Sequence, residues 1–272
     1  LIRQKPVEHK SPIVLITDFG EKDYFVGLMK GVILKINPNA KIIDLTHAIP
    51  SFNIKVANFI LSSCYHYFPE GTIFVIVVDP GVGSKRKILL VKTKNYIFLA
   101  PDNGVLTSVL EKEPPFQIFS VENTKYFLDK ISATFHGRDI FSPVAGWLSR
   151  GVPCEEFGPL VSSYNTLKIQ YPYINNEKIE GEIIYIDKFG NAITNIPADL
   201  IQSLSKGEKL KLKIKNIEIP IIFRKSYSEG KEGEIFFIIG SLDYLEIACN
   251  KFPLVKKINI SEGEKIEISK WK

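Results

Sequence analysis

The 272-residue chain is poor in the residues that staple small folds or build metal knuckles. It has three cysteines, Cys64, Cys154 and Cys249, at wide spacings and with no CxxC pair. An odd, scattered set of that kind excludes a disulfide framework and a zinc knuckle. Cys64 and His66 lie close together on an apolar run, which a core helix explains better than a metal site. No apolar run reaches the roughly 18 residues that span a bilayer. The first ten residues are too polar for a signal peptide, so a cytoplasmic location is expected. No GxGxxG opens a helix and no GK[ST] occurs, which argues against a dinucleotide fold or a P-loop. No GxSxG elbow occurs either, which argues against a serine acyl-enzyme.

What is present suits a globular enzyme with a real core. Apolar residues make up 45% of the chain and charged residues 24%, with a net charge of +5. The lysines are dispersed among glutamates, the pattern of a solvated mixed-charge surface. With no nucleic-acid motif, neither nucleic acid nor membrane is expected as a partner. Abundant isoleucine, lysine and glutamate beside a single methionine lean toward a thermophile.

The first half alternates strand and helix patterns. Strands are expected at residues 13–16, 42–45, 73–78, 88–91 and 96–99, and helices at 25–36, 53–67 and 140–148. Asp23 is expected to cap the first helix, and Ser51 or Asn53 the second. Residues 73–78 are all apolar and mostly β-branched, the signature of a strand buried on both faces. Strand–helix alternation implies a mostly parallel sheet flanked by helices, over residues 1–170.

From residue 178 the grammar changes. Short strands at 182–186, 210–214, 217–223, 234–239 and 265–269 are separated by Gly, Asn and Lys-Glu turns. No long helical period appears, so residues 178–272 read as a smaller all-β domain, a barrel or sandwich. The polar stretch 171–177 after Pro172 suits a linker. The fold class is therefore α/β followed by all-β.

In an open parallel sheet, ligands bind beyond the carboxyl ends of the strands. Four polar turns map to that edge: Thr17-Asp18-Phe19-Gly20, Asp79-Pro80-Gly81-Val82-Gly83-Ser84, Pro101-Asp102-Asn103-Gly104 and Thr134-Phe135-His136-Gly137-Arg138-Asp139. Any one is explicable as a tight turn. Four at one edge, three with Asp and one with His, point to a site. His136 near an aspartate and an arginine can position and polarise a water.

The segments TDFGEKDYFVGLMKG, THAIPSFN, VVDPGVGSKR, APDNGVLT, TFHGRDIFSPVAGWL, IDKFGNAITNI and SLDYLEIACN occur in this order. Together they resemble the S-adenosyl-L-methionine (SAM) hydroxide adenosyltransferase family, the adenosine-forming SAM hydrolases, over residues 18–250. The resemblance implies a two-domain homotrimer with each site between neighbouring subunits. It implies hydrolysis of SAM to adenosine and methionine, with no metal or other cofactor. Its catalytic triad falls on Asp79, Arg86 and His136, and its ribose-binding aspartate on Asp18. Asp23 and Asp187 match positions that hold the methionine amino group. Asn191, Ser241 and Glu246 match further contacts from the second domain. Phe52 stands where halogenating relatives carry a tryptophan, and Thr134, Phe135 and Gly137 complete the substrate set. Those relatives have a serine at 137, a tyrosine at 79 and no histidine at 136, so this chain departs toward water as nucleophile, with Asp79 expected to repel halide. After Asn250 the chain lacks the family's small residues, which leaves the adenine contacts open. The competing readings are a halide-using transferase of the same family, a non-catalytic SAM or adenosine binder, and a nucleoside hydrolase with another substrate.

Overall fold

Strand β1 (Ile13–Thr17) is buried at every position, as is β3 (Ile73–Val77). Both are central in their sheet and covered on two faces, which is why neither shows apolar–polar alternation. The structure, a computed structural model, describes residues 11–175, 178–202 and 209–271. It divides into two units between Leu167 and Lys168.

In the first unit β1 leads into α1 (Phe25–Ile36), β2 (Ile42–Thr46), α2 (Ile54–Cys64) and β3. Then come β4 (Ile88–Lys92), β5 (Ile97–Pro101), α3 (Thr107–Lys112), β6 (Gln117–Ser120) and α4 (Ser142–Ser149). The sheet order is β2-β1-β3-β5-β4-β6. Strands β2, β1, β3 and β5 run parallel, while β4 is antiparallel to β5 and to β6. The sheet is thus mixed, with its parallel core as expected. Met29 and Ile33 of α1 and Val144 and Leu148 of α4 cover one face, against Ile13, Leu15, Val75 and Leu99. On the other face Phe74 and Phe98 stack at 5.2 Å, and Tyr65, at the end of α2, meets Phe98 edge-on.

Asn53 caps α2, its side chain accepting from Val56 N at 3.1 Å. Asp23 does not cap α1. The helix starts at Phe25 as expected, but Tyr24 holds the cap position and makes no side-chain bond. The third expected helix begins differently. Residues Gly137–Phe141 form a single π-type turn, and α4 follows with Pro143 in its first turn. The six-residue α3 and four-residue β6 are too short to show a period and were not anticipated.

The second unit contains β7 (Tyr173–Asn175), β8 (Lys178–Ile186), β9 (Ala192–Pro197), α5 (Ala198–Gln202), β10 (Leu210–Ile214) and β11 (Ile217–Ile221). It continues with β12 (Ile235–Ile239), β13 (Tyr244–Cys249), α6 (Leu254–Ile258) and β14 (Lys265–Lys270). The sheet order among the described residues is β11-β10-β14-β8-β9-β13-β12, with β7 on β8, and every strand pairing is antiparallel. Just past β11, Arg224 N donates to Phe237 O and Phe237 N donates to Ile222 O, both at 2.9 Å. These bonds bring the two ends of the sheet together, so it is nearly a barrel. The stretch expected as a linker contributes β7, because Tyr173 lies opposite Glu180 and its hydroxyl donates to that carboxylate at 2.6 Å. Residues 176 and 177 of that stretch lie outside the described residues. Strand β9 escaped the sequence pattern because it buries Thr194 and Asn195. Both are satisfied: Thr194 Oγ1 donates to Leu245 O at 2.9 Å, and Asn195 Nδ2 donates to Gln170 O at 2.8 Å.

Candidate active site

Asp79 follows β3 and His136 precedes the π-type turn, 57 residues apart in sequence. Arg86 joins them. Its Nε donates to Asp79 Oδ1 at 2.9 Å and Oδ2 at 2.8 Å, and Nη2 adds a further bond to Oδ2. The same Nη2 donates to His136 Nδ1 at 3.0 Å. The Asp79 and Arg86 side chains are 5% and 10% exposed, so this is a buried pair. The loop that carries them is pressed onto the segment before His136. Gly83 has φ +78°, and a Cβ there would lie 2.3 Å from Ala133 O. Only glycine allows that approach.

The hydrogen-bond directions settle the imidazole. A guanidinium has no acceptor and stays protonated in proteins. His136 Nδ1 must therefore accept, which leaves the hydrogen of the neutral ring on Nε2. Burial and the Arg86 charge lower the pKa of His136 from its ordinary 6.5, against opposing pulls from Asp79 and Asp139. The neutral ring is thus favoured on two independent grounds.

Asp18 follows β1 at the same sheet edge. Its Oδ2 accepts from Phe52 N at 2.8 Å. Burial raises its pKa, with the Phe52 bond opposing and the Asp79 charge adding to the rise. Phe52 has φ +66° and its ring is 68% exposed. A bulky side chain in the left-handed region costs roughly 1–2 kcal/mol, and strain of this kind clusters at ligand-binding positions. Asp18 pins the strained residue in place.

The other residues of the 134–139 turn divide by role. Asp139 is fully buried. It accepts from Ser132 N at 2.7 Å and pairs with Arg138 Nε at 2.6 Å. Arg138 also lies 5.2 Å over the Phe135 ring. Both residues hold the turn together. Phe135 is 8% exposed and sits in the core, edge-on to Phe25 at 5.2 Å and to Phe19 at 5.9 Å. Thr134 is exposed, and its Oγ1 is 3.1 Å from Ser132 Oγ. Gly137 is buried. A Cβ there would stand 3.4 Å from both Met29 Sδ and Val77 Cγ1, and 3.3 Å from Phe135 Cε2.

Asp23 is exposed near the start of α1. The 101–104 turn proves structural. Asp102 Oδ1 accepts from Asn165 N at 2.7 Å, and Asn103 Nδ2 donates to Val78 O at 2.9 Å. That second bond steadies the strand end from which Asp79 projects. Asp79 is neutralised by its bidentate arginine, so the repulsion of halide expected of it is not that of a bare carboxylate.

In the second unit Asp187, Asn191, Ser241 and Glu246 line one cleft of about 770 Å³, with Phe189, Tyr227, Asn250, Phe252 and Pro253 among its other walls. Asp187 is largely engaged in its own turn. Its Oδ1 accepts from Phe189 N at 2.9 Å and Asn191 N at 2.8 Å, and its Oδ2 from Asn191 Nδ2 at 2.9 Å. Glu246 accepts from Tyr227 Oη at 2.7 Å. Burial raises its pKa, with the Tyr227 bond opposing and Asp187 adding to the rise. Gly240 makes room for that carboxylate, since a Cβ there would overlap Glu246 Oε1. Sequence reasoning missed Phe189, Tyr227 and Phe252. Phe189 carried a local signal, an aromatic beside the turn glycine Gly190, and is 74% exposed, whereas Tyr227 and Phe252 carried none.

Among the described residues no group of three or more His, Cys, Asp or Glu side chains converges as metal ligands would. Among the same residues no helix is long and apolar enough to cross a membrane.

Residues 13–158 match the model of the SAM hydroxide adenosyltransferase N-terminal domain, and residues 181–267 that of the C-terminal domain. A protein named (R)-S-adenosyl-L-methionine hydrolase from Methanocaldococcus jannaschii is 37% identical over 268 residues, covering 94% of this chain and 95% of that protein. One of the same name from Thermus thermophilus is 31% identical over 264 residues, covering 94% and 99%. A crystal structure of an uncharacterized conserved protein from Thermotoga maritima matches with a TM-score of 0.91 and 41% identity, over 95% of this chain and 100% of that one. With both domain models matched in order across most of its length, the chain belongs to the SAM hydroxide adenosyltransferase family.

Proposed function

We propose that the protein hydrolyses SAM to adenosine and L-methionine by in-line attack of water at the ribose 5′ carbon. The observation that carries this reading is the Asp79–Arg86–His136 chain of hydrogen bonds at the sheet edge of a SAM hydroxide adenosyltransferase fold.

The chemistry asks little of an acid catalyst. The C5′–S bond breaks with its electron pair going to sulfur, and a neutral thioether leaves. The site must align a water and keep others out, and alignment alone can lower a barrier by roughly 7–11 kcal/mol in favourable cases. Arg86 occupies His136 Nδ1, so the ring presents Nε2–H. In this reading His136 donates to one lone pair of the water, and the other lone pair faces C5′. His136 is an orienter rather than the base. The proton passes to solvent water once the C5′–O bond forms, when the new oxonium is strongly acidic. Asp79 fixes Arg86, and Asp18 receives the ribose hydroxyls beside the exposed Phe52 ring.

A neutral Asp79–Arg86 pair and a glycine at 137 offer a halide neither a net positive charge nor a hydroxyl. An anion entering would lose its hydration without replacement, and burying an unpaired charge is costly. In the second-unit cleft, Asn191, Ser241 and Glu246 receive the remaining polar groups of the substrate, with Phe189 and Phe252 as flat apolar walls. Asp187 acts there chiefly by shaping its turn, and the family resemblance supports Asp23 as a partner of the methionine amino group. The family resemblance further supports a homotrimer in which the second unit of a neighbouring subunit completes each site.

The test is direct. The protein is incubated with SAM, with and without chloride, and the products are separated by reversed-phase chromatography. Adenosine in both tubes is the expected result. A halogenated nucleoside would replace the reading with a transferase, and untouched SAM with a binder. His136→Ala with an unchanged rate and unchanged SAM affinity would overturn the role given to His136.

A further inference from the structure

His47, in the segment THAIPSFN, has so far carried no role. It is 5% exposed and sits just after β2, against the end of β1. The pairing of β1 with β2 shifts register between Leu15 and Ile16, where Leu15 lies opposite Asp44 but Ile16 lies opposite Thr46. The extra residue turns the chain after Thr46 over the end of β1. Three bonds then tie residues 47–52 to residues 17–20. His47 Nδ1 lies 2.9 Å from Thr17 Oγ1. Gly20 N donates to His47 O at 2.8 Å. Phe52 N donates to Asp18 Oδ2 at 2.8 Å.

The first bond reaches further at both ends. Thr17 is fully buried, and its Oγ1 also accepts from Phe19 N at 3.3 Å. On the far side of the ring, His47 Nε2 lies 3.0 Å from Asp44 Oδ1, and Lys30 Nζ donates to Asp44 Oδ2 at 2.5 Å. That 3.0 Å contact lacks the alignment of a hydrogen bond, but the carboxylate charge beside Nε2 favours the ring hydrogen on that nitrogen in the neutral form. Nδ1 then accepts, and the Thr17 hydroxyl is the donor. Three polar groups around Asp18 are thereby held from His47: the Thr17 hydroxyl, through it Phe19 N, and Gly20 N.

We propose that His47 is a positioning residue for Asp18: it sets the turn of residues 17–20 through Thr17 and through its own carbonyl oxygen. It thereby aims the carboxylate that receives ribose and pins Phe52. The proposal rests on the proposed reading of Asp18. It gives the buried ring a role that packing alone does not require.

Thr17→Val tests it, since the shape is kept while the bond to His47 and the acceptor for Phe19 N are both lost, and His47→Phe, which keeps the Thr17 hydroxyl, separates the two. The KM for SAM is expected to rise by roughly tenfold to hundredfold, the scale of a misplacement of about 1 Å, with kcat changed much less. Thr17→Ser, which keeps the hydroxyl, is expected to recover most of the loss. Amide hydrogen exchange at Gly20 and Phe52 is expected to speed up in Thr17→Val. If Thr17→Val fails to fold, Asp44→Asn, at the partly exposed end of the relay, takes its place with the same readouts. Unchanged KM together with unchanged exchange at Gly20 and Phe52 would overturn the proposal. Faster exchange in the variant of a protein whose wild type leaves SAM intact would instead overturn the proposed function and leave the positioning role standing.

Discussion

Arg86 Nη2 stands 3.0 Å from His136 Nδ1 and donates to it, so the imidazole can offer the site a hydrogen but cannot take one through Nε2 without breaking that bond. Lysine cannot reproduce the fork that binds Asp79 and His136 at once. Arg86→Lys is expected to lower kcat by about 10²–10³-fold, the typical effect of losing one aligned donor. Arg86→Ala leaves Asp79 buried without its partner, which is expected to cost about 3–5 kcal/mol of stability. Steady-state kinetics and thermal melts of the two variants separate these effects.

The acid limb of the pH profile follows from the same contact. The pKa of His136 is lowered by burial and by Arg86. The neutral, competent ring therefore persists below pH 6.5, where an unperturbed histidine would be half charged. Activity is expected to stay flat through 6.5 and to fall only at lower pH, as His136 protonates and expels the Arg86 donor. Stability shifts in the same direction. The unfolded ring takes up its proton at a higher pH than the folded ring, so stability falls as pH drops below the ordinary value. A kcat profile with its acid midpoint at or above 6.5 would contradict the neutral ring.

Asp18 and Glu246 titrate in the opposite direction, because burial raises both. SAM affinity is expected to weaken, as pH falls, at values above those of ordinary carboxylates. Glu246→Gln is expected to remove the second-unit share of that dependence while leaving the Asp18 share. Calorimetric titrations of adenosine and methionine across acid pH would show which product each carboxylate serves.

Gly137→Ser probes the nucleophile's pocket. The added Cβ meets Met29, Val77 and Phe135 at 3.3–3.4 Å, so the neighbours must yield slightly. Overpacking of this kind costs about 1–3 kcal/mol. The variant is expected to fold, to melt at a lower temperature and to form adenosine in the presence of chloride. A chlorinated nucleoside from this single change would show that the missing hydroxyl, rather than the neutral Asp79–Arg86 pair, decides against halide.

Phe52→Gly removes both the strained side chain and the exposed ring. Glycine enters the left-handed region without a Cβ penalty but starts from a more flexible unfolded state. Stability is expected to stay level or to gain up to about 1 kcal/mol. The KM for SAM is expected to rise, because the ring beside Asp18 is gone. An unchanged KM would place the strained residue outside the binding surface.

Much of the fold was legible in the residue pattern. The apolar β-branched stretch at 73–78 announced a strand buried on both faces, and the period at 25–36 announced α1 over its whole observed length. Such elements are written locally, in side-chain type and spacing. Asp79 and Arg86 were legible in the turn after a strand and His136 in the turn before a helix, in segments whose order resembles a known family. Strand β9 was not legible, because Thr194 and Asn195 are polar yet buried, and their partners Leu245 and Gln170 are distant in sequence. Phe189 and Phe252 gained meaning only when the fold placed them in one cleft with Glu246.

The sequence by itself determined the two-unit grammar, the parallel core of the sheet and the polar turns at its edge, because backbone propensity and apolar spacing act over a few residues. The tertiary structure alone decided what those turns do. It tied Asp139 and Asp102 into the local frame and joined Asp79 through Arg86 to His136, although all three are aspartates in glycine-containing turns. The difference is the partner: Asp139 is held by Ser132 and Arg138, Asp102 by Asn165, and Asp79 by an arginine that also reaches His136. Hydrogen-bond direction and burial depend on which chain segments meet, and that information lies between residues rather than in any one of them.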